Sequence, residues 1–161
     1  MREAVLAKLK TTTDDRSYNV QQNSLLLMGK LDPDLAKAKA RELAPDAKGP
    51  IPAVIAMIFA RTGDPMALDF IGSRLKTSKE PGERVGFIRA LGEMWDKHSS
   101  TDGQPLLMQL AESDPVWWVR LTAGRTLSRM DENTDLKAFY EKMAGQEEVG
   151  MVKDFWKNLV E

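Results

Sequence analysis

Apolar residues recur every three or four positions along most of the chain, which is the spacing of one face of an α-helix. The stretch from Val116 shows the period well, because Val119, Ala123 and Leu127 follow at helical intervals. Short turns rich in Pro, Gly, Asp and Asn separate the stretches, and no stretch alternates with the period of two that a strand needs. The pattern predicts an all-α chain of about ten helices, most of them roughly 9 to 16 residues long.

Some of these helices are predicted to be buried on more than one side. Residues 53–60 are apolar in every direction, as in a helix that lies fully inside the protein. The segment from Val85 to Trp95 carries two apolar faces, which is expected of a helix inside a stack of helices. Near the N-terminus, helical spacing predicts an inward face made of Val20, Ser24, Leu27 and Leu31.

Two segments of the chain match each other. "DRSYNVQQNSLLLMG" from Asp15 and "DPVWWVRLTAGRTLS" from Asp114 share an Asp start, an aromatic residue, a Val, a small residue and an apolar residue in the same register. A second register relates the Asp-Pro turns at Asp32 and Asp64, at an offset of 32 residues. The segment from Asp114 resembles the first helix of a HEAT repeat. The chain is therefore predicted to be an α-α superhelix of HEAT/armadillo-like helical repeats, in a single domain over 1–161.

The stretch "DPVWWVRLTAGRTL" holds the most unusual residues. With its core face set by Val116, Val119, Ala123 and Leu127, Trp117 and Leu121 lie on a flank where they can pack on a neighbouring helix pair. Asp114 can cap the helix start. Arg120 is predicted to reach an acidic side chain or a cap in an adjacent repeat.

Trp118 lies on a different face of that helix, together with Thr122, Arg125 and Arg129. One interpretation is that both tryptophans are packing residues, as large aromatic side chains usually are. The other is that Trp118 belongs to a contact surface, because exposed aromatic residues beside arginine mark recognition sites. The candidate contact residues are Trp118, Arg120, Arg125 and Arg129.

Composition and motifs exclude several function classes. Lys and Arg number 23 against 24 Asp and Glu, for a net charge of −1, which argues against binding to nucleic acid. Cysteine is absent, and the longest apolar run is too short to span a bilayer, so no membrane partner is expected. Neither HExxH nor a phosphate-binding glycine motif occurs, and His98 is the only histidine, predicted to end a helix. The sequence predicts no catalytic, cofactor-binding or metal-binding residue.

Two acidic stretches are candidates for a calcium site or a carboxylate pair, and the sequence favours helix boundaries for both. Residues 131–135 lack the alternating ligands and the glycine of a calcium loop, so a capping turn is predicted there. Glu147 and Glu148 are predicted to precede a helix, where negative charge is favourable. A DNA glycosylase of the HEAT-like type would use tryptophan, aspartate and arginine to hold a damaged base, but the net charge argues against that alternative.

The segments "DRSYNVQQNSLLLMGKLDPDLA" (15–36), "ALDFIGSRL" and "RALGEM" resemble the C-terminal helical region of zinc aminopeptidases of the aminopeptidase N family. The resemblance implies a non-catalytic domain that shapes substrate access to an active site elsewhere in a longer protein. Zinc and the catalytic residues would then lie upstream, and the partner would be the rest of the parent polypeptide. The resemblance also implies a bacterial protein of the periplasm or the cytoplasm.

A second function class stays open beside the first. The chain is alternatively a free-standing HEAT-type scaffold that binds another protein along one face of its repeats. In both cases the chain itself is expected to be non-catalytic and its partner to be a protein.

Overall fold

The computed structural model describes residues 1–130 and 136–161. These residues form ten helices and no strand, which confirms the all-α prediction and the number of helices. The acidic stretch 131–135, predicted to be a capping turn, lies outside the described residues. The helices are α1 Arg2–Thr12, α2 Tyr18–Leu31, α3 Pro33–Leu43, α4 Ile51–Thr62, α5 Ala67–Leu75, α6 Pro81–His98, α7 Gln104–Ser113, α8 Trp117–Arg129, α9 Lys137–Gln146 and α10 Gly150–Asn158.

The chain divides into two compact units, Met1–Glu93 and Met94–Glu161, so the boundary falls within α6. In the first unit each helix packs on its neighbour from α1 to α5, and α2 also packs on α4. In the second unit α7 packs on α8, α9 packs on α10, and α10 also packs on α8. The single domain over 1–161 stays a prediction.

The predicted burial of α4 and α6 is confirmed. Eight of the twelve residues of α4 are buried, among them Ile55 and Phe59. In α6, Ile88 on one face and Phe87 and Leu91 on the other are fully buried. Apolar residues in every direction thus identified α4 correctly as a buried helix, because such a helix has no side that water can solvate without loss of hydrophobic free energy.

The inward face predicted for α2 is wrong in part. Ser24 is buried as expected, but Val20 and Leu27 are exposed by 37% and 43%. Leu25 and Met28 occupy the core instead. Residues 25–28 are apolar throughout, so the period alone does not choose between two overlapping faces, and the packing partners of α2 make that choice.

The internal match between the Asp15 and Asp114 segments is confirmed in local geometry. Asp15 Oδ1 accepts a hydrogen bond from the backbone N–H of Ser17 at 2.8 Å, and Asp114 Oδ1 accepts one from Val116 at 2.9 Å. In each segment the helix begins three residues after the aspartate. The aspartate therefore closes the same turn in both segments and sets the start of α2 and of α8.

Candidate interaction surface

The turn before α8 places both tryptophans in the first turn of the helix. Asp114 is buried and bonds to the N–H of Val116, whereas the N-cap residue of α8 is Val116 itself, without a side-chain cap. Asp114 thus closes the turn before α8, whereas the sequence predicted that it would cap the helix start; the N-cap position belongs to Val116. α8 begins at Trp117, so Trp118 follows as its second residue.

One face of α8 is packed tightly into the second unit. Val119, Ala123 and Leu127 are fully buried, as predicted from their spacing. Gly124 lies against the indole of Trp156 in α10, so closely that a Cβ atom at position 124 would come within 2.4 Å of Trp156 Cη2. Only a residue without a side chain allows this approach, which fixes the rotation of α8 about its axis.

An ion pair fixes the start of α8 on the turn before α10. Arg120 Nε donates to Glu147 Oε2 at 2.8 Å, and Arg120 Nη2 donates to Glu147 Oε1 at 2.7 Å. Arg120 Nη1 also donates to the backbone carbonyl of Asp114 at 2.8 Å. The two side chains are only 16% and 2% exposed. This bidentate contact confirms the prediction that Arg120 reaches an acidic side chain of another repeat.

The environment of Glu147 stabilises its charged form. The hydrogen bond from Arg120 lowers the pKa of Glu147 below its ordinary value, against the opposing effect of burial. Backbone N–H groups of Val149 and Glu148 bond to Glu147 Oε1 at 3.0 and 3.1 Å and lower the pKa further. The same pairing raises the pKa of Arg120. Glu147 is therefore both the anchor for Arg120 and the side chain that organises the start of α10.

The first unit contains an equivalent pair. Arg41 Nε, in α3, donates to Asp64 Oδ2 at 2.8 Å, and Asp64 Oδ1 accepts from the N–H of Met66 at 2.9 Å. Burial acts to raise the pKa of Asp64, but these hydrogen bonds outweigh it and hold the pKa below its ordinary value. Both units thus contain an arginine of one helix that bonds to a buried carboxylate in the turn after the next helix.

The first turn of α8 carries two exposed aromatic residues. Trp117 is 41% exposed and Trp118 is 38% exposed. Within the part of the chain that the structure describes, neither ring contacts another aromatic ring. More than a third of each residue is thus exposed to solvent, so packing and a contact role both stay predictions for the two tryptophans.

Two arginines continue the exposed face from Trp118 toward the end of α8. Arg125 is exposed and has no ion-pair partner within residues 1–130 and 136–161. Arg129 Nη1 lies 3.5 Å from Asp96 Oδ2, and both side chains are about half exposed. Between the tryptophan and the arginines, the hydroxyl of Thr122 donates to the carbonyl of Trp118 at 2.6 Å. We call Trp118, Thr122, Arg125 and Arg129 the α8 outer face.

The four candidate contact residues thus fall into two groups. Trp118, Arg125 and Arg129 lie together on the α8 outer face, as the sequence predicted. Arg120 lies apart from them, since its guanidinium is bound by Glu147 and by the carbonyl of Asp114. A contact role for the three outer residues stays a prediction.

The residues that hold the surface in place are not evident from the sequence. The sequence indicates only that Glu147 places a favourable charge at a helix start, whereas in the structure Glu147 is the partner of Arg120. Gly124 gave no signal, because a glycine within a helix reveals close packing only when the opposite side chain is known. His98 ends α6, as predicted.

Three other kinds of function, namely metal binding, membrane crossing and binding of a small molecule, have little support among the described residues. They contain no cluster of three or more His, Asp or Glu that could hold a metal ion. None of the helices among them combines the length and the apolar character that crossing a membrane requires. A groove of about 230 Å³ lies beside the Arg120–Glu147 pair, but charged and polar side chains line most of it. The exposed aromatic surface is therefore the strongest candidate for function.

Comparison with known proteins agrees with this architecture. A protein-family model for HEAT repeats matches residues 68–154, which cover α6 to α9 and parts of α5 and α10. Neither the search of curated proteins nor the search of solved structures gives a match. The matched region covers more than half of the chain and contains the whole α8 outer face. The chain therefore belongs to the HEAT repeat family and has its α-α superhelical repeat fold.

Proposed function

We propose that this protein is a protein-binding module and that its partner docks on the α8 outer face. HEAT repeats generally mediate protein–protein interactions through surfaces built from successive helices. The observation that carries the proposal is the exposure of Trp117 and Trp118, by 41% and 38%, at the start of one helix. Tryptophan and arginine are the residues that most often dominate binding energy at protein interfaces.

The rigidity of α8 supports a binding role. The Gly124–Trp156 contact holds the middle of the helix, and the Arg120–Glu147 pair holds its beginning. A surface that is already fixed before binding loses less conformational entropy when a partner docks. The outer face is thus presented on a helix whose opposite side is packed and bonded.

The motifs that resemble the aminopeptidase N family suggest one specific partner, the catalytic part of a zinc aminopeptidase. None of the three comparisons links the chain to such an enzyme. Asp15 and Asp32, which lie within those motifs, bond to backbone N–H groups at 2.8 and 3.0 Å and set the starts of α2 and α3. Aspartate side chains form hydrogen bonds of this kind at the starts of helices in many folds, so these bonds do not identify the aminopeptidase family. The scaffold function that we propose therefore rests on the HEAT repeats and on the exposed surface of α8, and it applies whether or not the chain is part of a longer protein.

Site-specific crosslinking in the source cells tests the docking surface. A photo-reactive benzophenone residue replaces Thr122, in the middle of the outer face, and in a matched control it replaces the exposed Glu141 of α9. We expect an adduct of one defined mass from position 122 and none of that mass from position 141. The adduct should disappear when Trp118→Ala is added. Equal adducts from both positions, or an adduct that survives Trp118→Ala, would show that the partner docks elsewhere.

The size of the native protein tests the aminopeptidase alternative. An antibody raised against the chain should detect a band near 18.0 kDa if the scaffold is free-standing. A much larger band that co-migrates with aminopeptidase activity would instead support a parent enzyme.

A further inference from the structure

We draw no further inference here: the strongest candidate, a groove of about 280 Å³ between the start of α2 and the end of α3, carries nothing, because the carboxylates of Glu42 and Asp46 that line it are offset by the cations of Lys39 and Lys48 and nothing in the structure shows what occupies it.

Discussion

Gly124 and Trp156 are in direct contact, so that a methyl group added to Gly124 would lie within 2.4 Å of the indole carbon Cη2. Gly124 belongs to α8 and Trp156 to α10, and Trp156 is fully buried. The indole also stacks on Tyr140 and packs edge-on against Phe139 in α9. Because its ring is enclosed on these sides, Trp156 has little room to move away from a larger neighbour.

Gly124→Ala should therefore destabilise the protein, although alanine is the better helix former. Alanine gains up to about 1 kcal/mol of helix propensity, but overpacking against Trp156 costs typically about 1 to 3 kcal/mol. Gly72→Ala is the matched control, since Gly72 lies inside α5 and a Cβ atom there meets no atom within 4 Å. Urea denaturation should show a lower free energy of unfolding for Gly124→Ala and a higher one for Gly72→Ala. Equal shifts would contradict the close approach.

Glu147 should make stability depend on pH in the acid range. Its pKa is lower in the folded protein than in the unfolded chain, chiefly because Arg120 bonds to its carboxylate. The stability that it adds is complete above the unfolded pKa and is lost as the pH falls through the folded pKa. Glu147→Gln should therefore flatten the acid side of a plot of unfolding free energy against pH. Glu141→Gln, at an exposed position of α9, should leave the shape of that plot unchanged.

Removal of Arg120 should cost more stability than removal of its counterpart Arg41. The Arg120 side chain is 16% exposed and that of Arg41 is 48% exposed, so water screens the second pair more strongly. Arg120→Ala leaves the buried carboxylate of Glu147 without its charged partner, which typically costs about 3 to 5 kcal/mol. Unfolding free energies of the two single variants check the order. A larger loss for Arg41→Ala would instead show that the burial of the carboxylate sets the cost, since the Asp64 side chain is 0% exposed and that of Glu147 is 2% exposed.

Alanine substitutions at Trp118 and Leu127 should have different effects, the first on partner binding and the second on stability. Leu127→Ala removes a fully buried side chain of α8 and should cost about 2 to 5 kcal/mol of stability. Trp118→Ala removes a side chain that is 38% exposed and should cost much less, while it abolishes the crosslink from position 122. Thermal unfolding followed by circular dichroism measures the first effect. A large fall in melting temperature for Trp118→Ala would identify Trp118 as a packing residue after all.

Sequence by itself determined the class of the fold and the positions of its turns. Helical spacing of apolar residues is a local property, so the ten helices, the burial of α4 and α6 and the repeated aspartate turns at Asp15 and Asp114 followed from the chain alone. The alignment of Trp118, Arg125 and Arg129 on one helix face also followed, because it depends only on the 3.6-residue period.

Tertiary structure alone decided which side chains meet across the fold. The partner of Arg120 lies 27 residues away at Glu147, and several acidic residues were equally suitable in the sequence. The face of α2 that enters the core was also decided by its neighbours, since Val20 and Leu25 are both apolar. The exposure of Trp118 depends in the same way on what packs against α8. Contacts between distant segments depend on the relative placement of whole helices, and the period of a single helix does not contain that information.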